Sequence, residues 1–271
     1  MADTWYSDDP PPQSTWGAMG WLRILLRGVP ILLLLTIGLL LSLLLRLFER
    51  PAFGVARPFT PYITQFVCRA TFKLMGMRLK RTGNPIQGAG AVVANHSSWL
   101  DIFALNANKR IYFVSKSEVS RWPGIGWLAK ATGTVFIKRE RSEINAQINM
   151  FQERLSAGHR LLFFPEGTST DGLRVLSFKP ALFAAFFDPA LKEALQIQPV
   201  TIQYRAPDGN DPRFYGWWGG MDFGPHFLAV RAVKRQGSLT VTYHAPVKVS
   251  EFSDRKALAL ALENQVREGL T

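Results

Sequence analysis

Cysteine is the residue this sequence has least of: Cys68 is the single one in 271 residues. One thiol excludes an internal disulfide and any CxxC metal or redox motif, and it suits a reducing compartment. No G-x-S-x-G elbow is present, so the serine nucleophile of an α/β-hydrolase is missing. The four histidines, His96, His159, His226 and His244, have no ligand-like spacing, and no metal is expected. Lys and Arg form no dense run, and no nucleic-acid module or zinc-finger spacing appears, which argues against a nucleic-acid partner. There is no internal repeat, and no linker after residue 85 that would split a domain. Acidic residues are also in short supply, 20 against 32 Lys and Arg, giving a net charge of +12. A basic balance without nucleic-acid features points to an anionic membrane surface or an acidic substrate.

Apolar length and aromatic residues are plentiful by contrast. Residues 1–20 are acidic and Pro-rich, with Pro10-Pro11-Pro12, and read as a disordered tail. Residues 28–45 then run without a charge between Arg27 and Arg46. Eighteen helical residues span about 27 Å, just enough for a hydrocarbon core. The run is too long and too far from the start for a signal peptide, and it lacks a small-residue cleavage site. More Lys and Arg follow the run than precede it, so the bias in flanking charge puts everything after residue 46 in the cytoplasm. Within 58–76 and the residue after it, Phe59, Ile63, Phe66, Val67, Ala70, Leu74 and Met77 recur at steps of three and four, with Arg69 and Lys73 off the stripe. That periodicity fits an amphipathic helix lying on a membrane and equally an ordinary core helix. Eight Trp and nineteen Phe suit a protein that touches lipid. Residues 21–80 are thus expected to form two membrane-anchoring helices, 28–45 and 58–76, ahead of a soluble domain over 81–271.

In that domain short strand-like runs alternate with helix-like ones. Strands are predicted over 77–81, 89–94, 111–115, 134–138, 160–164, 197–204 and 238–244. Helices are predicted over 100–107, 125–131, 143–156, 178–187, 224–233 and 254–268. Such alternation specifies an α/β fold with a mostly parallel central sheet flanked by helices. Proline at 199, inside a predicted strand, demands an edge or a bulge.

The richest stretch is Asn95-His96-Ser97-Ser98-Trp99-Leu100-Asp101, between the apolar strand 90–94 and a helix start. A histidine at a strand end with a carboxylate five positions on can act as a base with its orienter, the carboxylate fixing the tautomer and stabilising the imidazolium. Ser98 and Asp101 also fit a helix capping box, which would leave His96 a plain loop histidine. Three more stretches stand apart from ordinary scaffold. Gly133-Thr134-Val135-Phe136-Ile137-Lys138-Arg139-Glu140-Arg141 is a strand ending in basic residues, where Arg139 can fork onto a phosphate or carboxylate, or form part of a solvated charge cluster. Phe163-Phe164-Pro165-Glu166-Gly167-Thr168-Ser169 runs a strand into a turn whose glycine permits close backbone approach. The last is Gln198-Pro199-Val200-Thr201-Ile202.

In this order the blocks resemble the PlsC-type glycerolipid acyltransferase family, with its N-H-x4-D, G-x-x-F-I-x-R, F-P-E-G-T and P-V motifs. The matching residues are Asn95, His96 and Asp101; Gly133, Phe136, Ile137 and Arg139; Phe164 to Thr168; and Pro199 and Val200. Lys116, with Pro123, Gly126 and Trp127, is similar to an intervening family segment, and Lys179 follows the third block at a familiar distance. The resemblance covers roughly residues 75–245. It implies a membrane-bound enzyme on the cytoplasmic face of the inner membrane. Such an enzyme moves a fatty acyl chain from an acyl carrier protein or coenzyme A thioester to the free hydroxyl of a lysolipid, without any other cofactor. His96 and Asp101 would be catalytic, with Arg139, Glu166, Gly167, Thr168, Lys116 and Lys179 binding substrate. One departure bears on the acceptor. Members acting on lysophosphatidic acid carry an arginine just after F-P-E-G-T, whereas Ser169-Thr170-Asp171-Gly172 stands here, with Arg174 beyond. This variant, with the later Trp217-Trp218-Gly219-Gly220-Met221-Asp222, is more similar to the bacterial branch that acylates lyso-aminolipids such as lyso-ornithine lipid. The remaining classes are a lipid-ester hydrolase and a non-catalytic membrane-anchored lipid-binding module.

Overall fold

A computed structural model describes residues 4–122, 124–138 and 141–270. At its centre lies β2 (Gly90–Ala94), buried at every position. An unbroken apolar run is what a parallel strand covered on both faces requires. It is hydrogen-bonded in parallel to β5 (Arg160–Phe163) on one side and β6 (Gln196–Arg205) on the other. The order across the sheet is β1 (Arg78–Thr82), β7 (Ser238–Tyr243), β6, β2, β5, β3 (Tyr112–Lys116), β4 (Val135–Ile137), and a short β8 (Val247–Lys248) also pairs with β6. β7 and β8 run antiparallel to β6 and every other pair is parallel, as the α/β pattern predicts. Alternate β2 side chains enter two separate apolar layers. Val92 and Ala94 face Phe72, Met75, Leu100 and Val230, while Ala91 and Val93 face Phe151, Phe183, Leu258 and Leu262. The first layer is built by α2 (Thr60–Met75), α3 (Leu100–Asn108) and α7 (Phe223–Ala232), the second by α5 (Ile144–Ser156) and α8 (Arg255–Glu268).

Two expectations fail locally. The predicted helix 178–187 is a 3-10 helix, Pro180–Phe187, its first turn closed by Leu182 N–H on Lys179 O. Three residues per turn put Phe183 and Phe186 on one side, where both are buried. Pro199 sits in the central strand β6, not at an edge or bulge. β8 pairs with residues 196–197 and β7 with 200–205, so Pro199 falls in the gap between them. Its carbonyl accepts from His244 N–H (3.0 Å) across that gap. A strand residue directs its N and O the same way, so the missing N–H faces the gap and breaks no ladder bond.

The long apolar helix α1 (Ala18–Phe53) starts inside the stretch read as a disordered tail and outlasts the apolar run at both ends. Gly20, Ile24, Ile31, Gly38, Ser42 and Glu49 form one buried stripe along it, while Leu26, Leu32, Leu44, Leu47 and Phe48 face outward. Arg23 and Arg27, which precede the apolar run, donate to the Arg231, Ala232, Val233 and Lys234 carbonyls at the end of α7. At the other end Glu49 accepts from Phe59 N–H, Thr60 N–H and Thr60 Oγ1, fixing the start of α2. Both ends of α1 are therefore tied to the same body. α2 has two apolar sides, one packed against the domain and one exposed. Val67, Cys68, Phe72 and Met75 are buried, and Phe59, Tyr62 and Phe66 are exposed.

Asn95 closes the carboxyl end of β2 onto β6: its Oδ1 accepts from Ile202 N–H (2.7 Å) and its Nδ2 donates to Ile202 O (2.9 Å). Asn95→Ala leaves both backbone groups buried without partners, so unfolding stability falls by about 1–3 kcal/mol in a denaturant titration.

Candidate active site

β2 delivers the chain to residues 95–99 at its carboxyl end, where ligands bind in open α/β sheets. His96 Nδ1 lies 2.8 Å from Asp101 Oδ2. The same oxygen accepts from Ser97 N–H (2.8 Å) and Ser98 N–H (3.0 Å), and Asp101 Oδ1 accepts from the Tyr204 hydroxyl (2.6 Å). A carboxylate only accepts, so Nδ1 carries the ring proton and Nε2 is left with a lone pair. Capping and orienting are thus performed by one side chain. Only half of the capping box forms, because Ser98 Oγ has no partner. Asp101 is wholly buried, whereas the His96 side chain keeps 21% exposure. The imidazole is stacked on Phe164 (centroids 4.1 Å, 13°), which fixes the plane in which Nε2 is offered.

The loop's backbone is equally constrained. Glu166 Oε1 accepts from His96 N–H (2.9 Å) and Oε2 from Leu176 N–H (3.2 Å). His96 O accepts from Thr170 N–H (2.9 Å), and Ser97 O from Trp217 N–H (2.8 Å). Burial pushes the Glu166 carboxyl up to about 8, with the Asp101 and Glu263 charges adding to it and the two backbone donors opposing it. Tyr204 is pushed well above the usual phenol range, first by burial and then by the neighbouring Asp101.

His96 opens into a cleft of about 500 Å³ that is also lined by Lys116, Val119, Trp122, Gly167, Thr168, Ser169, Trp217 and Trp218. Of the residues expected to bind substrate, Lys116, Gly167 and Thr168 line this cleft. Gly167 adopts φ 78°, a left-handed conformation that lets the turn pass close beneath the space. Glu166 is buried and turned to the His96 backbone, so it braces the His96 loop from behind. Lys179 lies behind the turn, its N–H on Pro165 O (3.0 Å). Arg139 lies outside the described residues. A second, almost wholly apolar cavity of about 460 Å³ lies between α1, α2, α3, α7 and α4 (Ile125–Thr132). Leu35, Phe103 and Phe227 are among its walls, and Ser115 and Val119 line both this cavity and the cleft at His96. Cys68 lines this cavity and not the cleft at His96, and burial pushes its thiol up to about 12. Trp99 Nε1 donates to His226 Nδ1 (3.0 Å), fixing another wall, and burial pushes His226 down to about 4.

Tyr204 and Phe164 as supports for Asp101 and His96 escape sequence reasoning, since strand register decides whether Tyr204 meets Asp101. Trp217 and Trp218 did carry a signal as a Trp-Trp pair beside glycines.

A parallel sheet that ends in a histidine–carboxylate pair beside a cleft and an apolar cavity is the equipment of an acyl-transferring enzyme. The chain belongs to the acyltransferase family: the family model described as Acyltransferase matches residues 78–203. It is 54% identical to the lyso-ornithine lipid O-acyltransferase of Rhodobacter capsulatus, over 98% of this chain and 96% of that one. It is 31% identical to the 1-acyl-sn-glycerol-3-phosphate acyltransferase of Neisseria meningitidis, over 71% of this chain and 74% of that one. The crystal structure of the acyltransferase PlsC from Thermotoga maritima shares the fold, with a TM-score of 0.57 at 20% identity over 90% of this chain and 96% of that one.

Tyr204→Phe removes one donor from Asp101 without changing shape. It is expected to lower kcat about tenfold, roughly 1.4 kcal/mol of barrier, with KM unchanged in steady-state acyl transfer. Asp101→Asn keeps an acceptor for the loop N–H groups but loses the charge, and should cost roughly a hundredfold or more in kcat while the protein stays folded. Since the folded-state pKa of Glu166 stands above its ordinary 4.5, its proton favours the folded state. That contribution is complete below pH 4.5 and lost as pH rises to about 8. Thermal unfolding of Glu166→Gln should lack this alkaline loss.

Proposed function

We propose that the protein transfers a fatty acyl chain from an acyl carrier protein or coenzyme A thioester to the free hydroxyl of a lyso-aminolipid, with lyso-ornithine lipid as the acceptor. The observation that carries this reading is the 54% identity, along nearly the whole of both chains, to a lyso-ornithine lipid O-acyltransferase. The Asp171-Gly172 sequence shortly after Thr168, where relatives of the phosphate type have arginine, supports it.

In this mechanism the acceptor hydroxyl gives its proton to His96 Nε2 as its oxygen attacks the thioester carbonyl. Asp101 holds the opposite ring nitrogen and stabilises the imidazolium. Collapse of the tetrahedral intermediate breaks the C–S bond, and His96 returns the proton to the departing thiolate. No acyl-enzyme intervenes, in keeping with the suppressed Cys68 thiol. Removing one oxyanion donor costs about 3 kcal/mol of barrier. Lys116, in the cleft, is our candidate for the anionic groups of the donor or the intermediate. The apolar cavity, which shares Ser115 and Val119 with the cleft, would take an acyl chain.

α1 is long and apolar enough to cross a membrane. Its two ends are tied to one body, which favours a helix lying along the catalytic domain, with Leu26, Leu32, Leu44 and Phe48 in the lipid. The exposed Phe59, Tyr62 and Phe66 of α2 extend that face. Lysolipid would then reach the cleft from the cytoplasmic leaflet without leaving it.

His96→Ala is expected to abolish acyl transfer while the protein stays folded and membrane-bound, measured by mass spectrometry with lyso-ornithine lipid and lysophosphatidic acid offered side by side. Near-normal turnover by this variant would sink the base assignment, and a phosphatidic-acid product alone would redirect the acceptor. A labelled thioester incubated without acceptor should release no fatty acid, whereas a hydrolase would.

A further inference from the structure

The N-terminal residues enter the site from outside the catalytic domain. Thr4 lines the same cleft as His96. Trp5 N–H donates to Thr168 Oγ1 (3.3 Å), on the turn that follows Gly167. The Trp5 indole rests against Trp218 (centroids 6.3 Å, 51°), and the Arg174 guanidinium lies over it at 5.0 Å. Tyr6 lies so close to Gly219 that a Cβ there would meet its ring at 3.0 Å. Gly219 adopts φ 59° as well, so glycine serves both the turn and the approach. Each surface that Trp5 touches is tied back to the catalytic loop. Trp217, next to Trp218, donates its N–H to Ser97 O. Arg174 pairs with the buried Asp171 through Nη2 to Oδ2 (2.9 Å) and Nε to Oδ1 (3.2 Å), and the adjoining Thr170 donates its N–H to His96 O.

We propose that residues 4–6 form the outer wall of the acceptor end of the cleft, with Trp5 a specificity-determining residue for the lipid headgroup. Thr4 and Trp218 line the cleft, and Trp5 backs Trp218 with the Arg174 guanidinium over its ring, itself paired to the buried Asp171. Aromatic faces attract ammonium groups, and a guanidinium forks onto a carboxylate. An amino-acid headgroup carries both charges, whereas a phosphate monoester carries only anionic ones. The inference rests on the acceptor reading above and narrows it to named side chains.

Two measurements on the full-length membrane-bound enzyme test it. With saturating thioester, Trp5→Ala is expected to raise KM for lyso-ornithine lipid about tenfold, the scale of one lost aromatic and cation contact, with a much smaller change in kcat. The thioester KM should be unaltered, the preference over lysophosphatidic acid should shrink, and Trp5→Phe should recover most of the loss. An unchanged acceptor KM, a rise confined to the thioester KM, or a kcat increase in Trp5→Ala would overturn the wall. The second measurement needs no turnover: fluorotryptophan incorporation, with the Trp5 ¹⁹F resonance identified by its absence from Trp5→Phe. That resonance should shift on titration with whichever lysolipid the wild type acylates, and a resonance that stays put would also overturn the inference. If the wild type acylates only lysophosphatidic acid, the acceptor reading fails, and the ¹⁹F shift with that lipid still decides whether residues 4–6 wall the site.

Discussion

A buried carboxylate with four donors around it is the interaction on which the site depends. Asp101 has no exposure, and an isolated charge there would cost several kcal/mol. It is stable because Ser97 N–H, Ser98 N–H, His96 Nδ1 and the Tyr204 hydroxyl converge on its two oxygens. Three of these donors belong to the loop and one to the neighbouring strand β6. The requirement to satisfy Asp101 therefore fixes the loop path, the start of α3 and the histidine tautomer together. Stability and chemistry coincide here, because the geometry that shelters the charge is also the geometry that offers Nε2 to the cleft.

Around this point the fold arranges supports by distance. Glu166 and Thr170 hold the His96 backbone, Trp217 holds that of Ser97, and Asn95 clamps the strand end beneath them. The F-P-E-G-T turn does two jobs: Phe164 and Glu166 pack behind the histidine, while Gly167 and Thr168 face the open space. Residues from the ends of β2 and β5 and from a Trp-containing loop thus frame the cleft, beside a cavity that is more apolar still. The same division runs through the helices, since α1 and α2 bury one side and leave leucine and phenylalanine outward on the other. An enzyme that acylates a lysolipid needs a space open to water and an apolar one side by side.

Much of this was legible in the residues. The strand–helix alternation specified the α/β class, and the bounds of β2, α3 and α7 follow the apolar periodicity closely. His96 and Asp101 stood out because both readings of the heptapeptide, cap and orienter, concern local spacing, and local spacing survives folding. Arg139 was equally visible as a motif residue, and it lies outside the described residues. What escaped was nonlocal. Pro199 looked like an edge marker, but an interruption between two antiparallel partners made a central position harmless. Glu166 looked like a ligand-binding acid, yet burial turned it into a brace. The tail over residues 1–20 looked featureless by composition, and Trp5 nonetheless rests on Trp218.

By itself the sequence determined the elements, the apolar surfaces and the histidine–carboxylate pairing, since these follow from periodicities and spacings of a few residues. Only the tertiary structure decided which groups meet Asp101, that the cleft and the apolar cavity share Ser115 and Val119, and that Arg23 and Arg27 return α1 to the catalytic domain. The physical reason is the same in each case. Strand register and helix docking are fixed by the burial of whole faces, and that sum over the chain cannot be read from any one stretch of it.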